Sequence, residues 1–161
     1  MLKLEIKNHK TTSPASPKIS PLKFNKILKT AQTLVPKIKN LNGTIELNFI
    51  SKTEMQRINK TFRKIDKPTD VLSFSYFEEI PAPPSPKKPT PTPPPILAEI
   101  FICTEVAKTQ SLQHANSLTQ ELLTLFTHGL LHIFGYTHDT DGQEKEMQEM
   151  ADKLVAKFNS L

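Results

Sequence analysis

Three of the chain's five histidines fall inside one eleven-residue stretch, His128-Gly129-Leu130-Leu131-His132-Ile133-Phe134-Gly135-Tyr136-Thr137-His138. The spacing restricts the local fold sharply. His128 and His132 are four residues apart, so on a helix both imidazoles leave the same face. Two such rings on an apolar helix are costly unless they find partners. Gly135 can take the left-handed conformation that ends a helix, and the chain can then turn back and bring His138 to the same point. Three imidazoles meeting at one ion, with a fourth tetrahedral position left for water, form the donor set of a catalytic zinc site. Zinc peptidases with this spacing carry Glu directly after the first His as general base. Here that position is Gly129, so a peptidase reading has its ligands and lacks its base. His9 and His114 have no such company and read as surface residues.

The 161 residues suit one domain with a real core. A single cysteine, Cys103, cannot make an internal disulfide, and nothing points to an oxidising compartment. The apolar runs are too short to span a bilayer. The opening MLKLEIKNHK alternates like a strand rather than a signal peptide. A soluble cytoplasmic protein is expected. Net charge is +5 and uneven: residues 1–67 hold 15 Lys/Arg against 4 Asp/Glu, residues 68–161 hold 6 against 12. A basic half suits a polyanion such as RNA, although a lysine-rich solvated surface has the same composition.

Hydrophobic periodicity predicts an α+β domain in the order β-α-β-α-β-β-α-α-α, a small mixed four-stranded sheet packed with about five helices. Leu2, Leu4 and Ile6 alternate with charged residues in a first strand, and 9–19 form a loop. Ser20-Pro21 starts a helix whose inward positions are Leu22, Ile27, Leu28, Ala31, Leu34, Val35 and Ile38, with Pro36 ending or kinking it. Asn42-Gly43 turns into a strand in which Ile45, Leu47 and Phe49 alternate with Glu46 and Asn48. Ser51-Lys52-Thr53-Glu54 is a capping box for a helix ending near Phe62. Strands follow at Val71–Tyr76 and Ile96–Cys103, then a helix over Glu105–Ala115. A long helix capped by Thr119 runs through Phe134 and carries the first two histidines. An amphipathic helix starting after Asp139–Asp141 closes the chain, with Met147, Met150, Ala151, Leu154, Val155 and Phe158 inward. Residues 81–95 hold nine prolines with Lys87 and Lys88. They read as an extended polyproline connection between two strands, with a docking peptide as the functional alternative.

A metal-activated water can be generated near neutral pH without a dedicated carboxylate, which suits phosphodiester hydrolysis. Such a reaction also needs a cation for the charge on the phosphoryl oxygens. Arg63, where a short helix gives way to a polar loop, offers the planar fork that suits phosphate.

With both segments quoted, the chain resembles the YbeY family of single-strand-specific endoribonucleases of ribosomal RNA maturation. The family's metal motif, H-G-x-L-H-L-x-G-Y-D-H, is matched at His128, Gly129, Leu131, His132, Gly135, Tyr136 and His138. Its second motif, N-x-x-[FY]-R-x-x-D-x-P-T-D-V-L-S-F, is matched from Asn59 to Phe74. The resemblance covers nearly the whole of a single domain, 1–161. It implies one Zn²⁺ on His128, His132 and His138, and Arg63 near the RNA backbone. It also implies processing of the 16S rRNA 3′ end and ribosome quality control, with single-stranded RNA and the small ribosomal subunit as partners and neither DNA nor membrane expected. The chain departs from the family at Thr137, where Asp is usual; a hydrogen bond to a ligand is then either lost or supplied by Asp139 from the other side of His138. It departs again at Ala98-Glu99, where the family has Gly-Asp, and in its long proline arm.

Two other readings use the same residues. A zinc metallopeptidase of metzincin-like spacing would need another carboxylate, such as Glu99, to reach the water. A non-catalytic ribosome-associated module would use the metal structurally, against the rule that structural zinc sites have four ligands and are rich in Cys. Ser73 and Thr69 are further possible hydrogen-bond donors, and the nucleophile, water or a ribose 2′-hydroxyl, is open.

Overall fold

A computed structural model describes residues 1–8, 20–76 and 93–159, with side chains described as far as Ala156. The elements are β1 (Leu2–Asn8), α1 (Pro21–Leu34), a 3₁₀ turn (Pro36–Ile38), β2 (Gly43–Ile50), α2 (Lys52–Arg63), β3 (Val71–Ser75), β4 (Ile96–Cys103), α3 (Thr104–Gln113), α4 (Leu118–Ile133) and α5 (Asp141–Asn159). This is the expected α+β order. The 9–19 loop, His9 and all of the proline segment before Pro93 lie outside the described residues, as does the side chain of Phe158. Among the described residues, no helix is long and apolar enough to cross a membrane.

The sheet runs β1-β2-β4-β3. β1 and β4 flank β2 in parallel, and β3 closes the edge antiparallel to β4 with Val71 opposite Ile102 and Ser73 opposite Ile100. α1, α4 and α5 cover one face, burying Phe24, Phe126, Leu130 and Leu154 against Ile45, Leu47, Ile100 and Ile102. α2 covers the β3 side of the other face, where Met55 and Ile58 meet Ile50, Leu72 and Cys103. Each apolar side chain so buried is worth roughly 1.5–3 kcal/mol before entropy is counted.

Three expectations fail for identifiable reasons. Leu22 is 78% exposed, because the inward stripe of α1 runs Phe24, Ile27, Leu28 and Ala31. Glu46 and Asn48 do not face water. β2 is a central strand, all eight of its residues are buried, and Glu46 is held by Lys7 Nζ at 2.6 Å. α4 is capped by Ser117 rather than Thr119. The Ser117 side chain accepts from Gln120 N and the Gln120 side chain accepts from Ser117 N, a complete capping box. Pro36 does end α1, one residue after its last turn.

α4 approaches the sheet most closely at Gly129. A Cβ there would lie 3.1 Å from Ile100 Cγ2 and 3.3 Å from Val71 Cγ2. The position that carries a catalytic Glu in zinc peptidases is therefore sealed against β3 and β4. Gly129→Glu is expected to lower unfolding free energy by about 3 kcal/mol or more, through overpacking and a buried unpaired charge. Urea denaturation measures it, and a near-neutral effect would mean that α4 does not sit this close.

Candidate metal centre

The end of α4 is built to bring the chain back on itself. Gly135 has φ +87°. Its N–H bonds the carbonyl of His132 at 3.0 Å, and the Tyr136 N–H bonds that of Leu131 at 3.0 Å. This paired closure is the Schellman motif, and it needs a left-handed residue at Gly135. Three residues later His138 stands beside the two helical histidines. One ligand atom from each of His128, His132 and His138 lies within 4.8 Å of the others. His128 and His132 present their Nε2 atoms to each other at 2.9 Å.

The tautomer of His132 follows from its other nitrogen. Nδ1 is 3.0 Å from the Tyr136 carbonyl, which can only accept, so Nδ1 carries the proton and Nε2 offers a lone pair to the cluster. This is the outer-shell arrangement that orients metal-binding imidazoles. The acceptor is a backbone carbonyl of the helix-ending turn, which no motif of side chains announces. Loss of water contact pushes His128 below the ordinary imidazole range, and the neighbouring imidazoles push it further. Loss of water contact is also the main cause of the lowered His132, against the carbonyl bond that raises it. Both rings are thus held neutral, the form that binds a cation. Metal–nitrogen bonds of about 2.0–2.1 Å put tetrahedral donors about 3.3–3.4 Å apart. Small ring rotations reach that from the observed spacing, so the donor set fits one ion. Among the described residues no Cys or carboxylate joins the cluster.

Arg63 is the last residue of α2 and is exposed. Its charge is felt at His132, where it adds to the lowering of that ring's pKa. The loop after it is pinned to α2. Lys64 caps the helix at φ 61°, and its N–H bonds the Asn59 carbonyl. The buried Asn59 amide donates to the Lys67 carbonyl at 2.7 Å. Lys60 and Gln56 hold Asp66 at 2.7 and 3.0 Å. The next segment is anchored by Asp70, which accepts from Val71 N at 2.7 Å, Thr69 Oγ1 at 3.1 Å and Gln110 Nε2 at 3.0 Å.

Comparison with known proteins now decides the kinship. Residues 5–159 match the sequence model of the family described as Endoribonuclease YbeY. The chain belongs to the YbeY family. It is 40% identical over 128 residues to the Endoribonuclease YbeY of Staphylococcus epidermidis, covering 78% of this chain and 81% of the relative. It is 39% identical over 114 residues to that of Staphylococcus aureus, covering 71% and 72%. The solution structure of TM1509 from Thermotoga maritima shares the fold, with a TM-score of 0.55 at 18% identity over 98% of this chain and 93% of that one.

The YbeY-motif residues divide by what they touch. The three histidines converge. Asn59, Asp66 and Asp70 hold the loop, and sequence reasoning quoted them without giving them that job. Thr69 is committed to Asp70, and Ser73 lies opposite Ile100 on β3. Glu99 does not approach the histidines. Its neighbour Ile100 faces α4, so Glu99 points to the opposite face, where it accepts from the Tyr76 hydroxyl. His114 is exposed as expected, but its Nδ1 lies 3.1 Å from the buried carboxylate of Glu121.

The lowered pKa values make stability depend on pH. The folded chain keeps His128 and His132 neutral where the unfolded chain protonates them. Their contribution is present above the unfolded imidazole pKa of about 6.5 and is lost as pH falls below it. In metal-free protein the urea midpoint should drop as pH is lowered from 7, and His128→Gln with His132→Gln should flatten that drop. An unchanged slope in the double variant would show that these rings are not the groups responsible.

Proposed function

We propose that this chain is a metal-dependent endoribonuclease that hydrolyses phosphodiester bonds of single-stranded RNA. We assign one Zn²⁺ to His128, His132 and His138, and phosphate binding to Arg63. The observation that carries this reading is the convergence of His128, His132 and His138, whose ligand atoms lie within 4.8 Å of one another, in a chain of the YbeY family. Its relatives bear the name Endoribonuclease YbeY. The biological setting we infer is 3′-end maturation of 16S rRNA and ribosome quality control, with the small subunit as partner, in the cytoplasm.

When bound, the ion would polarise a phosphoryl oxygen and make water acidic enough to ionise near neutral pH. The chain's own groups do the rest. The Tyr136 carbonyl fixes the His132 ring so that Nε2 faces the ion's place. The Arg63 guanidinium binds the phosphate bidentately and offsets the charge that grows on its oxygens. The anchored loop from Lys64 to Asp70 holds the base of that side chain, so little ordering is left to do when RNA binds.

A peptidase reading finds no base. Position 129 is packed against the sheet and Glu99 lies on the far face. Three imidazoles also favour zinc over hard cations such as Mg²⁺.

The test uses a structured rRNA fragment with a single-stranded 3′ tail, with metal content measured on the same samples. Wild type should cut within the tail. His132→Ala should lose both metal and cleavage. Arg63→Ala should keep its metal and cleave on the order of 10²–10³-fold more slowly. A folded, metal-loaded wild type that leaves RNA intact, or that cuts a peptide instead, contradicts the proposal.

A further inference from the structure

A second concave surface lies on the face of the sheet away from α1, α4 and α5. It is a groove of about 450 Å³, within the range of small-ligand sites. One wall is aromatic: Phe62 stands 5.1 Å from Phe74 and Phe74 stands 5.9 Å from Phe101, ring centre to ring centre. Phe62 is 65% exposed and Tyr76 is 58% exposed, large apolar rings left open to water. The Tyr76 hydroxyl is tied to Glu99, which fixes that ring's tilt.

We propose that this groove is a stacking subsite for an unpaired base of the RNA strand whose phosphate is held by Arg63, with Phe62 and Tyr76 as the stacking surfaces. The inference rests on the nuclease reading given above and names where its substrate continues. Continuity is the first argument. Phe62 and Arg63 are consecutive residues of α2, and consecutive helical side chains diverge by about 100°. Phe62 lines the groove and Arg63, the next residue, does not, so a strand whose phosphate is held by Arg63 has the Phe62 ring beside it.

The second argument is chemical. Aromatic side chains hold single-stranded bases by stacking, whatever the sequence. The groove's cations are already engaged, Lys7 by Glu46 at 2.6 Å and Arg57 by Glu54 at 2.7 Å. It is therefore poorly suited to phosphate and better suited to a base. The Glu99 carboxylate accepts hydrogen bonds, as the exocyclic amino groups of adenine, cytosine and guanine require. Paired bases present no free face to such a wall. The subsite thus supplies a physical basis for single-strand selectivity.

Phe62 and Tyr76 are exposed enough for truncation to leave the fold intact, which thermal melting checks. Oligoribonucleotides carrying 2-aminopurine at successive positions report stacking by quenching. With wild type, one position should quench. Phe62→Ala and Tyr76→Ala should each remove that quenching and raise KM for tail cleavage about tenfold, more than they change kcat, while Phe62→Trp retains both. An abasic nucleotide at the quenched position should weaken wild type and leave Phe62→Ala unaffected. Cleavage by wild type with unchanged KM in both alanine variants overturns the subsite and leaves the nuclease reading standing. A wild type that neither binds nor cuts RNA removes both. Unchanged RNA behaviour with lost binding of an oligoarginine peptide would make the groove a protein-docking face and also overturns the subsite.

Discussion

Helix α4 packs so tightly on the sheet at Gly129 that a Cβ there would make its neighbours give by a few tenths of an ångström. Gly129 meets the methyl groups of Ile100 and Val71. That contact helps to set the rotation of the helix about its own axis, with His128 and His132 together on one flank of the contact, about 100° and 60° round from it, and Leu130 in the core. The same rotation removes the route to peptide hydrolysis. A carboxylate at position 129 would enter the core rather than the site. The orientation of the helical histidines and the absence of a side chain at position 129 thus share one packing contact.

The rest of the site depends on two turns that hold side chains without touching substrate. After α4, the Schellman closure at Gly135 spends its carbonyl groups twice over: Leu131 and His132 satisfy the turn, and Tyr136 fixes the His132 ring. After α2, Lys64 takes a left-handed conformation that a lysine does not favour, and Asn59, Asp66 and Asp70 hold the loop that follows. The acidic residues of this motif make hydrogen bonds that pin the loop following Arg63.

Much of this was legible in the sequence because it is local. The i, i+4 histidine pair, the glycine break and the element order all follow from periodicities of 3.6 and 2. What was not legible is long-range. Glu46 and Asn48 alternate with the apolar residues of β2 on the side away from the main core, yet both are buried, with Lys7 reaching across from β1 to Glu46. Leu22 is apolar but lies off the inward stripe of α1, which runs Phe24, Ile27, Leu28 and Ala31. Ser117 and Thr119 are both acceptable caps by type. Only the reciprocal bond with Gln120 separates them. The Tyr136 carbonyl as an imidazole partner had no signal in side-chain identity. The aromatic groove had none either, since Phe62, Phe74 and Phe101 come from three separate elements.

The central claim is that three imidazoles, and no fourth protein group, hold one ion. X-ray absorption at the zinc edge of the loaded protein addresses this directly. The account predicts one zinc per chain with three nitrogen neighbours in imidazole rings at about 2.0–2.1 Å and one oxygen. A sulfur neighbour, a fourth imidazole or a second ion would contradict it.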